Sequence, residues 1–287
     1  MKLKTKKIII SCLEYLILIF VSFISIAPLF SCVLVAFKQN SEMSDPTSFP
    51  SSFYFGNFKI ALSKGNLLIA FLITMLIIII AVTISTMLSA GISYALSKLR
   101  IKFKKQIIAM FTVAMFIPTI GIQISVFKMM ATLELVNTIF GYILLLCNTD
   151  IFAILIFMRY FESLPSSLDD VAVINGYSPV KVFFKVYVPL LKPAFLTVAV
   201  IKGINIFNEF YLANLYLQDK TRLPTITTAL YSFTGPFGAQ YNVICAGIIL
   251  SLIPILIIFS IFQKKIYFGF TGAQIINTKK RRKNVTK

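Results

Sequence analysis

Long apolar blocks separated by short polar segments constrain this chain more than any other feature of its sequence. Six of the blocks are long enough to cross a hydrocarbon layer of about 30 Å, which takes about 20 helical residues. They lie near residues 8–36, 67–97, 106–127, 139–160, 193–217 and 243–263. Because lipid offers no partner for backbone N–H and C=O groups, runs of this kind must be helical. The sequence therefore predicts an all-α, polytopic membrane protein with six transmembrane helices.

Composition agrees with a membrane protein, since 58% of the residues are hydrophobic and the mean hydropathy is +0.88. Soluble domains lie nearer to half apolar. The apolar stretch that follows the basic residues 1–7 is too long and bulky for a cleaved signal peptide, so it is read as the first span. We expect a cytoplasmic N-terminus (1–7), a membrane domain (8–275) with a long internal connection at 159–193, and a basic cytoplasmic tail (276–287).

The lysines and arginines predict the orientation of the chain. The formal net charge is +18, and the cations flank the apolar blocks, which favours the positive-inside rule over nucleic-acid binding. Most of the 28 lysines and arginines fall in the two terminal segments, after the second span and between the fourth and fifth spans. The opposite side holds Lys38, Lys59, Lys64, Lys128, Lys220 and Arg222. This bias places both termini in the cytoplasm.

The residue types that usually carry catalysis or bind metals are scarce in this sequence. There is no histidine, which removes the commonest general base and metal ligand. The four cysteines stand singly in or beside apolar blocks, which is typical of small buried hydrophobic residues; they are Cys12, Cys32, Cys147 and Cys245. We therefore expect no catalytic residues and no metal site on this chain. No GxxxxGK[ST] phosphate loop is present either, so we expect no ATP site.

The connection at 159–193 has the pattern of a short helix ended by a glycine. Ser166 and Asp169 have the spacing of a capping box, and the helix is expected to run to about Ile174. Asn175 and Gly176 then end it, because glycine takes the left-handed conformation at no steric cost.

A second helix is predicted to begin at Ser178 and Pro179, as cap and first residue. The expected apolar face consists of Val180, Phe183, Phe184, Tyr187 and Val188, with Pro189 and Pro193 closing the segment. Two interpretations remain open for this hairpin. It could lie on the lipid surface, or it could fit a groove on a partner protein.

The same connection resembles the EAA loop of binding-protein-dependent ABC importer permeases. The resemblance is carried by the run LDDVAVINGYS from Leu168 to Ser178, by Phe184, and by the Pro-Leu-x-x-Pro pattern that ends at Pro193. Ala172 and Gly176 match the family pattern. The departures from it are Asp170 for Glu, Val171 for Ala, Asn175 for Asp and Tyr177 for Ala.

Other segments are similar to the same family, so the resemblance covers roughly residues 20–275. They are Ile26–Phe30, Ala36–Lys38, Ala90–Arg100, Ile117-Pro118, Leu135–Thr138, Phe207–Phe210, Phe262-Gln263 and Gly269. Within the family the chain looks like the carbohydrate-uptake branch, and there like the smaller six-span permease of maltose-type importers.

The resemblance implies a function and a set of partners. The chain is expected to be a permease subunit in a bacterial plasma membrane that translocates a sugar delivered by an extracytoplasmic binding protein. A second permease subunit would complete the path, and an ABC ATPase dimer would hold ATP and Mg while this chain binds no cofactor. The loop residues that the resemblance assigns to the ATPase contact are Asp169, Asp170, Ala172, Asn175, Gly176 and Ser178.

Polar residues in the fifth apolar block are the candidates for a translocation path or a permease interface. They are Lys202, Asn205, Asn208 and Glu209. Ionisable groups at membrane depth are costly and usually face a cavity or a partner. Lys202 and Glu209 are seven residues apart and share a helix face, although Glu209 could also lie at the outer interface, where a charge costs little.

Three other functions compete with this one. An ion-coupled secondary transporter would leave the hairpin at 159–193 unexplained, and no inverted repeat is visible. An importer of a solute other than a sugar has the same sequence pattern. A membrane enzyme is disfavoured by ten acidic residues without histidine and without a visible nucleophile and base. The identity of the solute stays open.

Overall fold

The computed structural model describes residues 2–165, 167–235, 238–261 and 263, and this part of the chain is mostly helical. The α-helices are α1 (Lys2–Ala36), α2 (Gly56–Ser63), α3 (Leu67–Lys98), α4 (Lys104–Ala114), α5 (Thr119–Thr132), α6 (Ile139–Leu146), α7 (Ile151–Ser163), α8 (Ser167–Ile174), α9 (Pro179–Val182), α10 (Val188–Leu190), α11 (Lys192–Phe207), α12 (Tyr211–Tyr216), α13 (Ile226–Tyr231) and α14 (Tyr241–Ile261). A 3₁₀-helix (Asn40–Glu42), a π-helix (Phe183–Tyr187) and the antiparallel strands β1 (Thr234–Gly235) and β2 (Gly238–Ala239) complete it.

Three helices within the described ranges are long and apolar enough to cross a membrane: α1 over Ile10–Ala36, α3 and α14. Two further candidates are broken, because α6 and α7 meet at a bend of 51°, and the helices from Pro179 to Leu190 meet α11 at 78°. The bends allow up to five crossings by length and composition.

Three of the six apolar blocks are divided in the structure, so that none of these three forms one continuous helix. The block at 106–127 is divided between α4 and α5, since Pro118 has no N–H to continue the first helix. The block at 139–160 is divided at residues 147–150, where a polar run ends α6. The block at 193–217 is divided after Phe207, where Asn208 leads out of α11.

The exposure of α1 is that of a lipid-facing helix. Its side chains from Ile10 to Phe30 are exposed even though they are almost all apolar. A helix that is apolar on all sides is stable when it is surrounded by hydrocarbon or by other helices. The helix begins at Lys2, so the predicted N-terminal segment continues into it as helix. The predicted basic tail, 276–287, lies outside the described residues.

The chain divides into two compact units, of which the first comprises residues 1–69 and 229–255. The loop that follows α1 is held by a buried lysine, because Lys38 is 0% exposed. The Nζ of Lys38 donates to the carbonyl of Asp45 at 2.5 Å and to Ser48 Oγ at 2.8 Å. Asn57 donates to the carbonyls of Ala36 and Lys38 at 2.9 and 2.8 Å. These bonds satisfy polar groups that would otherwise be costly to bury.

The second unit comprises residues 70–228 and the described residues from 256 onward, and it has two main apolar clusters. One surrounds the connection at 159–193 and includes Tyr94, Phe157, Phe161, Phe183 and Tyr187. The other packs α3 against α6, α11 and α12 and includes Ile77, Tyr142, Ile143, Ile206 and Tyr216. Both candidate sites lie in this unit.

Candidate functional site

The predicted end of the first helix and the predicted start of the second helix in the connection at 159–193 are confirmed by the structure. Helix α8 ends at Ile174 as predicted, and Gly176 then takes φ +66°, in the left-handed region. Ser178 is the N-cap of α9, and its side chain accepts a hydrogen bond from the backbone N–H of Lys181 at 3.4 Å. Ser166, the first residue of the proposed capping box, lies outside the described residues.

The predicted apolar face of the second helix is divided between the core and the surface. Phe183 and Tyr187 are buried, whereas Val180 and Phe184 are 66% and 55% exposed. The reason is the π-helix over Phe183–Tyr187, which changes the residues per turn and moves neighbouring side chains out of the 3.6-residue register. Exposed apolar side chains also lie on α8, at Val171 and Ile174.

Asp169 is engaged within the chain. Its Oδ2 lies 3.2 Å from Nζ of Lys98, the last residue of α3, and its Oδ1 accepts a hydrogen bond from the hydroxyl of Tyr187. The Lys98 side chain is 11% exposed, and its Nζ also lies 5.4 Å from the ring centroid of Tyr187. One carboxylate thus joins α3, α8 and the π-helix.

The other loop residues assigned by resemblance are placed as follows. Asn175 donates from Nδ2 to the carbonyl of Val171 at 2.7 Å and is exposed, as is Gly176. Ser178 caps α9. Asp170 and Ala172 belong to α8, but their side chains lie outside what the structure describes.

A cavity of about 400 Å³ lies where α6, α7, α11 and α12 are interrupted. Its polar lining consists of Asn148, Thr149, Asp150, Lys202, Asn205 and Glu209. Its apolar lining includes Phe111, Met115, Leu146, Ile206 and Leu212. Three of the four predicted path residues therefore line one cavity. The fourth, Asn208, is not among the lining residues, and its Nδ2 donates to the carbonyl of Ile204 at 3.0 Å.

The charged groups of the cavity are held by helix ends. Lys202 Nζ donates to the side-chain and main-chain oxygens of Asn148 at 2.5 and 3.2 Å, beyond the C-terminus of α6, where a cation is favoured. Asp150 accepts from the N–H of Phe152 at 2.9 Å and so caps α7. Glu209 accepts from the N–H of Leu212 at 2.8 Å, at the start of α12.

Asn148, Thr149 and Asp150 are not among the residues predicted from the sequence, because they lie inside the fourth apolar block. A carboxylate in the middle of a stretch of membrane length was the signal that could have found them, because such a group marks a cavity or an interrupted helix more often than a continuous span. Among the described residues, no group of three or more cysteines, aspartates and glutamates is placed to hold a metal ion.

Apolar helices that meet at a polar cavity define the class of this protein, a multi-pass helical membrane protein. The family described as "Binding-protein-dependent transport system inner membrane component" matches residues 87–272, well over half of the chain, and the chain belongs to this family.

Relatives of known role are similar over nearly the whole chain. The trehalose/maltose transport system permease protein MalG of Thermococcus litoralis is 31% identical over 93% of this chain and 92% of its own. The arabinooligosaccharides transport system permease protein AraQ of Halalkalibacterium halodurans is 29% identical over 88% and 91%. The melibiose/raffinose/stachyose import permease protein MelC of Bacillus subtilis is 25% identical over 86% and 90%.

A solved structure has the same fold. It is a chain of a bacterial ABC transporter involved in the import of the acidic polysaccharide alginate. The TM-score is 0.75 at 21% identity, over 89% of this chain and 96% of the other.

Proposed function

We propose that this chain is the transmembrane subunit of an ATP-driven importer that takes up a sugar delivered by an extracytoplasmic binding protein. The observation that carries the proposal is the family match together with relatives that import di- and oligosaccharides and cover about nine-tenths of the chain. A short oligosaccharide is the substrate class that these relatives favour.

The second unit supplies features that suit the two ends of such a transporter. Four exposed apolar side chains lie on α8, α9 and the π-helix, and we call this set the coupling patch: Val171, Ile174, Val180 and Phe184. An exposed helical patch of this kind suits a groove on a partner protein. We propose that the ATPase dimer binds there, and that ATP and Mg are held by that dimer.

The polar cavity supports a path for a hydroxylated solute. Its amide, carboxylate and ammonium groups are donors and acceptors suited to sugar hydroxyls, and its apolar wall suits the C–H faces of a sugar ring. We propose that Lys202, Asn205 and Glu209 line the path in this chain, that a second permease completes it, and that Asn208 faces that second subunit.

The uptake experiment tests this function. Cells lacking the gene and cells complemented with it are given labelled tri- and disaccharides, and uptake is expected in the complemented cells and to be blocked by vanadate. An ion-coupled carrier would instead be blocked by an ionophore and resist vanadate. Glu209→Ala is expected to lower uptake by about tenfold or more, which corresponds to about 1.4 kcal/mol. A wild-type rate in Glu209→Ala would remove Glu209 from the path, and a wild-type rate in Asn208→Ala would contradict the proposed contact of Asn208 with the second subunit.

A further inference from the structure

Helix α3 touches both candidate sites of the second unit. Its last residue, Lys98, holds Asp169 of α8, and Ser85 donates from Oγ to the carbonyl of Asn148 at 2.7 Å. The two residues are thirteen positions apart in one continuous helix, which corresponds to about 20 Å at 1.5 Å per residue. One continuous helix thus links α8, through Asp169, to the wall of the cavity at Asn148.

We infer that α3 transmits movement of α8 to the break between α6 and α7, and that the Lys98–Asp169 ion pair is the contact that links α8 to α3. The inference rests on the proposed function, because it gives the mechanical role of these residues in an importer. Lys98 and Asp169 are positioning residues in this scheme, and they act through the helices that they join.

The ion pair between Lys98 and Asp169 is strong for one near the surface. The lysine is 11% exposed and the aspartate 34%, so solvent screens the pair less than it screens a fully exposed one. The hydroxyl of the fully buried Tyr187 donates to the same carboxylate. The Tyr187 ring packs on Tyr94 of α3 with centroids 5.4 Å apart. Movement of α8 that kept these bonds would have to move the end of α3.

The middle of α3 is hydrogen-bonded to α7. Ser93 Oγ donates to the carbonyl of Ile154 at 2.9 Å, and Ser93 is completely buried. Small residues such as serine let helix backbones approach closely in membranes, and their hydroxyls bond across the interface. Helix α3 therefore contacts α7, which begins at the break, as well as Asn148 in the break itself.

The carbonyl oxygen of Asn148 accepts two hydrogen bonds. Ser85 and Lys202 both donate to its carbonyl, which lies beyond the end of α6. A shift of Ser85 relative to Lys202 would change which donor holds this carbonyl. That exchange would alter the wall of the cavity directly, since Asn148 and Lys202 both line it.

The test measures solute taken up per ATP hydrolysed in proteoliposomes that contain the whole transporter and its loaded binding protein. Lys98→Met is expected to lower this ratio by roughly fivefold or more, the range of a typical coupling between sites, while the ATPase subunits still co-purify. Exchange of the charges in Lys98→Asp with Asp169→Lys is expected to restore it. The control is Glu162→Gln, which removes the exposed Arg159–Glu162 pair on α7 and is expected to leave the ratio unchanged.

A wild-type ratio in Lys98→Met would overturn the inference. If that variant does not assemble, Ser85→Ala is the deciding variant, because it removes the hydroxyl that α3 donates to Asn148. An unchanged ratio of solute to ATP in Ser85→Ala also overturns the inference, and a lowered ratio supports it. A wild-type chain that binds no ATPase and takes up no solute would contradict the proposed function instead.

Discussion

At the scale of single residues, the clearest requirement is at Gly176. Its φ of +66° lies in the left-handed region, yet a Cβ built there meets no atom within 4 Å. The demand is therefore for backbone conformation and is independent of space. The left-handed conformation costs an L-residue with a Cβ roughly 1–2 kcal/mol, and it costs asparagine less than a β-branched residue.

This difference predicts the order of two substitutions. Gly176→Val is expected to lower uptake roughly 5–30-fold, the factor that 1–2 kcal/mol represents, because α8 would no longer turn into α9 in the docking conformation. Gly176→Asn is expected to stay near wild type. Initial uptake rates at matched expression measure both, and equal loss in the two variants would mean that side-chain volume matters after all.

At the scale of elements, the π-helix decides which side chains the connection offers to a partner. It turns Phe183 and Tyr187 into the core and leaves Phe184 exposed next to them, with the two phenylalanine rings 5.0 Å apart. A regular α-helix over the same residues would have presented one apolar stripe. The coupling patch therefore consists of single anchors on successive helices.

Phe184→Ser is accordingly expected to reduce the ATPase that co-purifies with the permease by about tenfold or more, since burying one phenylalanine contributes roughly 1.5–3 kcal/mol. Phe49→Ser is the matched control, because Phe49 is also exposed but lies in the loop predicted to face the opposite side. Equal losses in the two variants would show a general defect in assembly and refute a docking role for Phe184.

At the scale of the whole molecule, charge and apolar exposure act together. The side chains of α1 from Ile10 to Phe30 are exposed, as befits a helix in contact with lipid or partner helices, and the cations gather on one set of segments. The cost of moving cations across the membrane predicts the orientation, with the connection at 159–193 expected on the same side as both termini.

Single-cysteine variants test this orientation after the four native cysteines are replaced. Glu162→Cys, on the connection, is expected to react with a membrane-impermeant maleimide only after the cells are permeabilised. Ser52→Cys, in the first loop, is expected to react in intact cells. Both positions are exposed and neither is assigned to the ATPase contact, so access to them depends on the side of the membrane. The reverse pattern would invert the topology.

Local signals in the sequence were sufficient for the local structure. The end of α8 at Ile174, the left-handed Gly176 and the cap at Ser178 each depend on a few consecutive residues, and all three were predicted. Lys202, Asn205 and Glu209 could be selected because polar groups in an apolar block are costly wherever the block lies.

The sequence by itself determined the membrane class, because the solvation of apolar side chains and backbone groups depends on composition along the chain and needs no partner. Tertiary structure alone decided where the helices break and what Asp169 binds. Its partner Lys98 is 71 positions away, and Asn148 meets Lys202 across 54. Pairings at such separations follow from helix packing, which leaves no periodic trace in the residues that meet.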